Sequence, residues 1–402
     1  MSAPRDIINL DYISGNPLLI EVQNAMIEAI KKNYGNPSSG HQLGEKAAGE
    51  LVQAREKVAR LINCASPEEI IFTSCGTESI NQAIKGVAFA RKDKGKHIVT
   101  SDIEHNAVLK PLRVLRTLGY EVTSVPVDQY GRVNPEDVNK AIKNDTILIS
   151  IMHGNNEIGT IQPIPEIARI AKEKEIIFHC DGVASVGIVP VDVQDLDVDL
   201  LSFAANQFNG PSGVGGLYVR RGTRLWPLIE GGFQERNRRG GTENLIGIIG
   251  MGVAAEIALK QMESRMNHAK RLKERLIHGL KEKVDDIIIN GHPDQTLPNL
   301  VSVSIKYIEG ESIVLMLDEE DIEVSTKSAC ASGSLRASHV LVAIGSDYAD
   351  AQGTLVISFG WDTTDKQIDR FLDVLTEAVN NLRNMSPLYK KGNSLATKAQ
   401  RR

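Results

Sequence analysis

Short apolar runs alternating with stretches of helical period constrain this chain more than any other feature. Ile70-Ile71-Phe72, HIVTS (97–101), EVTSVPV (121–127), TILISIM (146–152), IIFHC (176–180) and DVDLLSF (197–203) are strand-length and rich in Val, Ile and Phe. Between them QLGEKAAGELVQAREKVARLI (42–62) and IPEIARIAKEKE (164–175) place apolar residues at helical spacing. Parallel neighbours need a crossover connection, and a helix is the usual one, so this alternation predicts an α/β domain with a mainly parallel sheet over about 17–257. Met251 to Lys283 reads as one or two long helices leading out of it. A smaller α+β domain is expected from residues 1–16 plus 258–389. It would hold VSVSI (301–305), a helix around GESIVLMLDEE (310–320), IEVST (322–326), TLVISF (354–359) and a last helix from Thr364 to Met385. The polar, basic segment 390–402 is predicted to be a disordered tail.

Composition removes several function classes. A length of 402 residues is enough for two domains sharing an interface. The net charge of -5 and the 4% aromatic content argue against a nucleic-acid partner, which needs a basic face or stacking rings. No wholly apolar run reaches the roughly 18 residues of a membrane span. MSAPRDIINLDY lacks the apolar core of a signal peptide, so no membrane partner and a cytoplasmic location are expected. Cys64, Cys75, Cys180 and Cys330 are far apart and form no CxxC, which favours free thiols.

Six segments carry candidate chemistry. TSCGTES (73–79) follows a strand and opens a predicted helix, where small residues let backbone N–H groups approach an anion. Alone, such a turn is structural as often as functional. SDIEHNAV (101–108) holds His105, and a single His is most often a surface or satisfied core residue. HGNNEIGTIQPI (153–164) contains Asn156, in a string long and specific enough to be hard to explain as a plain loop. FHCDGVASVG (178–187) ends a strand on Asp181, where a helix cap is the ordinary explanation. RRGGTENLIGIIG (238–250) brings Thr242. STKSACASGSLRASHVL (325–341) surrounds Cys330 with small polar residues, as suits a nucleophile that must travel. Lys327, three residues before it, would favour the thiolate; a solvated loop lysine is the plainer explanation.

Order and spacing together resemble the cysteine desulfurases, fold-type I enzymes that carry pyridoxal phosphate (PLP), from about Asp11 to Tyr389. The resemblance implies the PLP-dependent transferase fold-type I and a homodimer whose sites are completed across the two-fold axis. It places Gly76 and Thr77 at the cofactor phosphate, His105 on the face of the ring, and Asn156 beside the ring hydroxyl or the substrate carboxylate. Asp181 would pair with the pyridine nitrogen and keep the ring an electron sink. Thr242 would reach the phosphate of the other subunit's site, and Cys330 would occupy the persulfide-forming position. RNMSPLY (383–389) resembles the end that family members present to an iron–sulfur scaffold protein.

The departures from the family pattern cluster at the cofactor. LSFAANQFNGPSGVGGLYV (201–219) is similar to the lysine loop S-x-S-x-H-K-x-x-G-P-K-G-x-G, but Gln207 stands in the place of the Schiff-base lysine. An amide nitrogen is not nucleophilic and forms no imine with an aldehyde. Asn206 and Ala204 replace a His and a Ser that help hold the phosphate, and Ala184 replaces the Gln at the ring oxygen. Trp361 replaces the Arg that grips the substrate carboxylate, Cys75 departs from Gly, and Ser14-Gly15-Asn16 replaces A-T-T. The expectation is a desulfurase-like protein of sulfur transfer or iron–sulfur cluster assembly with lost or reduced lyase activity. PLP would be held without a covalent bond or be absent. Cys330 would serve as persulfide carrier or as a thiolate ligand of a nascent cluster, with a scaffold protein as partner. Two alternatives stay open: an active cysteine desulfurase using non-covalent PLP, and a fold-type I enzyme diverged to a new substrate, with Trp361 lining an apolar pocket.

Overall fold

The computed structural model describes residues 7–326, 337–387 and 389; Lys327, Cys330 and the 390–402 segment lie outside the described residues. Strands are numbered from β1 (Ile8–Asn9). They continue through β2 (Ile70–Thr73), β3 (His97–Ser101), β4 (Glu121–Val125), β5 (Thr146–Met152), β6 (Ile177–Asp181), β7 (Leu200–Ala204) and β8 (Gly215–Val219). β2 to β8 form one seven-stranded sheet in the order β2-β8-β7-β6-β5-β3-β4. The four pairings from β7 to β4 are all parallel, and only β8 runs against its neighbours β2 and β7. This is the expected α/β class with a mainly parallel sheet. Every residue of β5, β6 and β7 is buried, because helices cover both faces. That is why these strands read as continuous apolar runs and not as alternation.

One core lies between the sheet and the helices of one face, including Gln42–Leu61, which buries Ala47, Leu51, Ala54 and Val58. On the other face Gly76–Ala90 and Asn106–Thr117 contribute Ile80, Ile84, Val87, Val108, Leu112 and Leu115. Pro111 lies inside Asn106–Thr117, past the first turn, and removes the bond to the carbonyl four residues earlier. The stretch expected as one or two helices is a single 39-residue helix, Leu245–Lys283. Its first half is long and apolar enough to cross a membrane by composition alone, yet Ile248, Met251, Ala254, Ala255 and Ala258 are buried in the sheet's own core.

The second half of that helix turns Leu272, Leu276 and Leu280 into another apolar cluster. There it meets an antiparallel sheet in the order β12-β10-β9, from β9 (Ile287–Asn290), β10 (Leu300–Ile305) and β12 (Thr354–Ser358). β1 pairs in parallel with β11 (Ile322–Glu323), so the N-terminal segment is stitched to the C-terminal part of the chain. The last helix, Asp365–Met385, opens on a capping box between Thr364 and Gln367 and closes the cluster with Ile368, Phe371, Leu372 and Leu375. β8 and β9 were not anticipated as strands. GGLYV opens on two glycines, which are depleted in strands, and the short run Ile287–Asn290 directly follows a long helical stretch, so neither stood out as a separate strand.

Candidate functional site

Parallel strands release their connections at one edge, so residues far apart in sequence meet beyond their carboxyl ends. There a cavity of about 380 Å³ opens. β2 delivers Cys75, Gly76 and Thr77, β3 delivers His105, β5 delivers Gly154 and Asn156, β6 delivers Asp181 and Ala184, and β7 delivers Ala204, Asn206 and Gln207. Nine of the residues singled out from sequence therefore share one wall: Gly76, Thr77, His105, Asn156, Asp181, Ala184, Ala204, Asn206 and Gln207.

The helix Gly76–Ala90 aims its N-terminus at this space. Cys75 is its N-cap, and the thiol sulfur accepts the N–H of Glu78 at 3.4 Å. The Glu78 carboxylate accepts the N–H of Ser74 at 2.8 Å and is paired with Arg239 at 2.9 Å, which holds it below the ordinary carboxylate range despite its burial. A Cβ at Gly76 would lie 2.7 Å from Cγ2 of Val183, which follows Asp181 by two residues, so a larger residue there would require the Val183 side chain to shift.

Asp181 is 5% exposed, and one carboxylate oxygen accepts the Val183 N–H at 3.0 Å. Burial pushes its pKa up to about 6, since no cation among the described residues offsets the lost solvation. Beneath His105 lies Glu104, fully buried, its pKa pushed up to about 8 mainly by desolvation. One oxygen accepts Ser101 Oγ at 2.6 Å and the Met152 N–H at 3.0 Å, while the other has no partner among the described residues. His179 spans β5 to β7 between Ser150 Oγ and Ser202 Oγ, both at 2.9 Å, and burial lowers it to about 3. Asn155 braces the loop by accepting the N–H groups of Glu157 and Ile158 at 2.8 and 3.0 Å, leaving Asn156 to face the cavity. Glu104, His179 and Asn155 were missed as individual residues, although each lies inside a string quoted above: SDIEHNAV, FHCDGVASVG and HGNNEIGTIQPI.

Gln207 is 8% exposed, on the single-turn helix Ala205–Phe208, and its amide donates to the Ile13 carbonyl at 3.1 Å. No lysine is among the described residues that line the cavity. Two sequence candidates lie elsewhere. Thr242 lines a separate pocket of about 110 Å³ with Thr73, Ser74, Glu235 and Arg239. Trp361 lines a crevice of about 40 Å³ in which Ile188, Met266, Pro298 and Phe359 share the walls with Asn16, Asn209, Arg265 and Asn299. Cys330 and Lys327 fall outside the described residues.

The aminotransferase class-V family model matches residues 8–371. The chain is 50% identical over 384 residues to the cysteine desulfurase IscS of Dictyoglomus turgidum, covering 96% of this chain and 97% of that one. It is 49% identical to the cysteine desulfurase IscS of Methanosarcina thermophila, covering 97% and 96% of the two. Among solved structures, a NifS-like protein superposes with a TM-score of 0.88 at 39% identity, covering 94% of this chain and 100% of that one. SspA, solved in complex with cysteine, superposes at 0.78 with 35% identity over 88% of this chain and 99% of that one. Matches of this identity and coverage, together with a cavity built where a fold-type I site lies, make this chain a member of the class-V aminotransferase family, in its cysteine desulfurase branch.

Proposed function

We propose that this protein acts in sulfur transfer or iron–sulfur cluster assembly with its own lyase activity lost or strongly reduced. The observation that carries this is Gln207. A desulfurase needs an amine there, and this amide is tied to the Ile13 carbonyl at 3.1 Å in a cavity with no lysine among its described lining residues.

The cavity suits PLP in part. Asp181 is a buried acid without a countercharge, the environment that a protonated pyridine nitrogen would complete. His105 lines the same cavity, where an imidazole would stack on a ring, and Gly76 and Thr77 at a helix N-terminus suit a phosphate. When bound, PLP supplies an electron sink. Covalent attachment at position 207 does not fit, so holding would rest on stacking, the Asp181 charge and phosphate contacts. Met152, Val183 and Ala184 keep part of the wall apolar and limit water. With its carboxyl pushed up to about 6, Asp181 is mostly ionised at neutrality and can face a protonated pyridine nitrogen.

Cys330 is the proposed persulfide carrier or cluster-ligating thiolate, the partner an iron–sulfur scaffold protein, and the assembly a homodimer. The survival of Asp181 and His105 in one cavity favours a second reading, an active desulfurase with non-covalent PLP. Two measurements separate them. Cys330→Ala should abolish sulfur or cluster handover in a complex with the scaffold while fold and dimer persist; handover that survives would end the sulfur-transfer reading. Release of sulfide from cysteine by wild-type protein supplied with PLP would favour the second reading.

A further inference from the structure

Arg265 is the one arginine of the long helix Leu245–Lys283 whose guanidinium turns inward without an acid. Its Nη1 donates to Asn209 Oδ1 at 3.1 Å and its Nε to Gln261 Oε1 at 3.0 Å. Its Nη2 is buried and has no hydrogen-bond partner among the described residues. Glu21 and Asp362 are the acids whose charge it feels, but neither forms an ion pair with it among the described residues, and Asp362 accepts the Tyr12 hydroxyl at 2.6 Å. A buried guanidinium nitrogen left without an acceptor is costly, because its lost hydration is not replaced. Proteins keep few such atoms without a reason.

Arg265 lines the crevice of about 40 Å³ that Trp361 also lines. That is room for a carboxylate-sized group, given that a single water needs roughly 10–15 Å³ by the same kind of measure. The Asn299 carboxamide is on the same wall, 8% exposed, with a buried oxygen that also lacks a partner. Either end of that amide can be presented, so it can donate to an anion or accept from an ammonium group. The Trp361 ring lies 6.0 Å from the Arg265 guanidinium and is 47% exposed, which leaves one side open to solvent. The crevice shares a wall with the main cavity: Asn16 lines it and donates to the Gln207 carbonyl at 3.3 Å, while Gln207 lines the cavity.

We propose that Arg265, Asn299 and Trp361 form a carboxylate-binding subsite for a small organic acid such as a free amino acid. Arg265 supplies the charge and the unused N–H, Asn299 a second polar contact, and the indole a flat apolar side. This goes beyond the sulfur-transfer reading and does not depend on Cys330 or on bound PLP.

The chain has two tryptophans, so Trp361 can be watched alone in a Trp226→Phe background. In that protein, L-alanine and acetate should each change the Trp361 emission saturably in the millimolar range, with chloride at equal ionic strength much weaker. Arg265→Gln should weaken the L-alanine response at least about tenfold, the loss expected for one charge-assisted hydrogen bond. Arg265→Lys should retain part of it, and its far-UV dichroism checks that the fold is kept if the Gln variant is unstable. A response equally strong with chloride, no saturable response, or one unchanged in Arg265→Gln would overturn the proposal. Sulfur handover is not read in this experiment, so its outcome is separate from that of the Cys330 test.

Discussion

The carboxyl of Glu104, directly before His105, should be neutral at physiological pH, and this can be tested by removing its ability to titrate. The group is fully buried, and its pKa is pushed from 4.5 to about 8. A folded-state pKa raised above the unfolded one means that the associated stability is complete below about 4.5 and is lost as pH rises through 8. The loss amounts to about 3 kcal/mol by pH 7 and approaches about 5 kcal/mol above pH 8, so roughly 1–1.5 kcal/mol disappears between pH 7 and 9. Glu104→Gln keeps an oxygen to accept from Ser101 Oγ and the Met152 N–H, and puts an amide nitrogen where an oxygen has no partner now. At pH 7 the variant should be about as stable as the wild type, because one neutral group replaces another. At pH 9 it should be the more stable of the two by about 1–1.5 kcal/mol. Urea denaturation of both proteins at equal concentration and at both pH values reads the difference, and titrations common to both cancel. A difference that does not change with pH, or a variant several kcal/mol less stable at pH 7, would refute the neutral-acid reasoning.

Three further outcomes are expected. Gln207→Lys with Asn206→His should raise PLP affinity, read by absorbance titration, without restoring full desulfurase activity while Trp361 remains; strong desulfuration by the double variant would show that position 361 matters little. Of the described cysteines, Cys75 is exposed, whereas burial pushes Cys64 up to about 12 and Cys180 well above its ordinary range, so Cys75 should alkylate faster than either, by mass spectrometry over time. Cys330 should also outpace Cys64 and Cys180. Glu235→Gln should cost about 3–5 kcal/mol of stability, because it strips the charge from a buried pair with Arg55, at 2.6 and 2.7 Å, that also accepts the Phe72 N–H. A loss below about 1 kcal/mol would mean that the pair is solvated or replaceable.

Amino-acid order alone determined the α/β class and the mainly parallel sheet, because apolar period marks strands and helices locally. Nine of the cavity residues came from the resemblance of their motifs to the cysteine desulfurases, and each sits within a few positions of a strand end or helix start. Amino-acid order also determined that position 207 carries no amine, since that is a matter of covalent identity. Tertiary structure decided what depends on distance through space. Glu104 looks like any surface acid in SDIEHNAV; only enclosure by Ser101, Met152 and the strands makes it a neutral one. Glu235, Arg236 and Asn237 all take left-handed backbone angles, an arrangement held by the Arg55 pair contributed from 180 positions earlier. Thr242 and Trp361 belong to motifs as clear as the others, yet packing puts them in separate pockets. The orphan nitrogen of Arg265 has no sequence signature at all. Burial, countercharge and unmet hydrogen bonds arise from contacts between distant segments, and no local pattern encodes them.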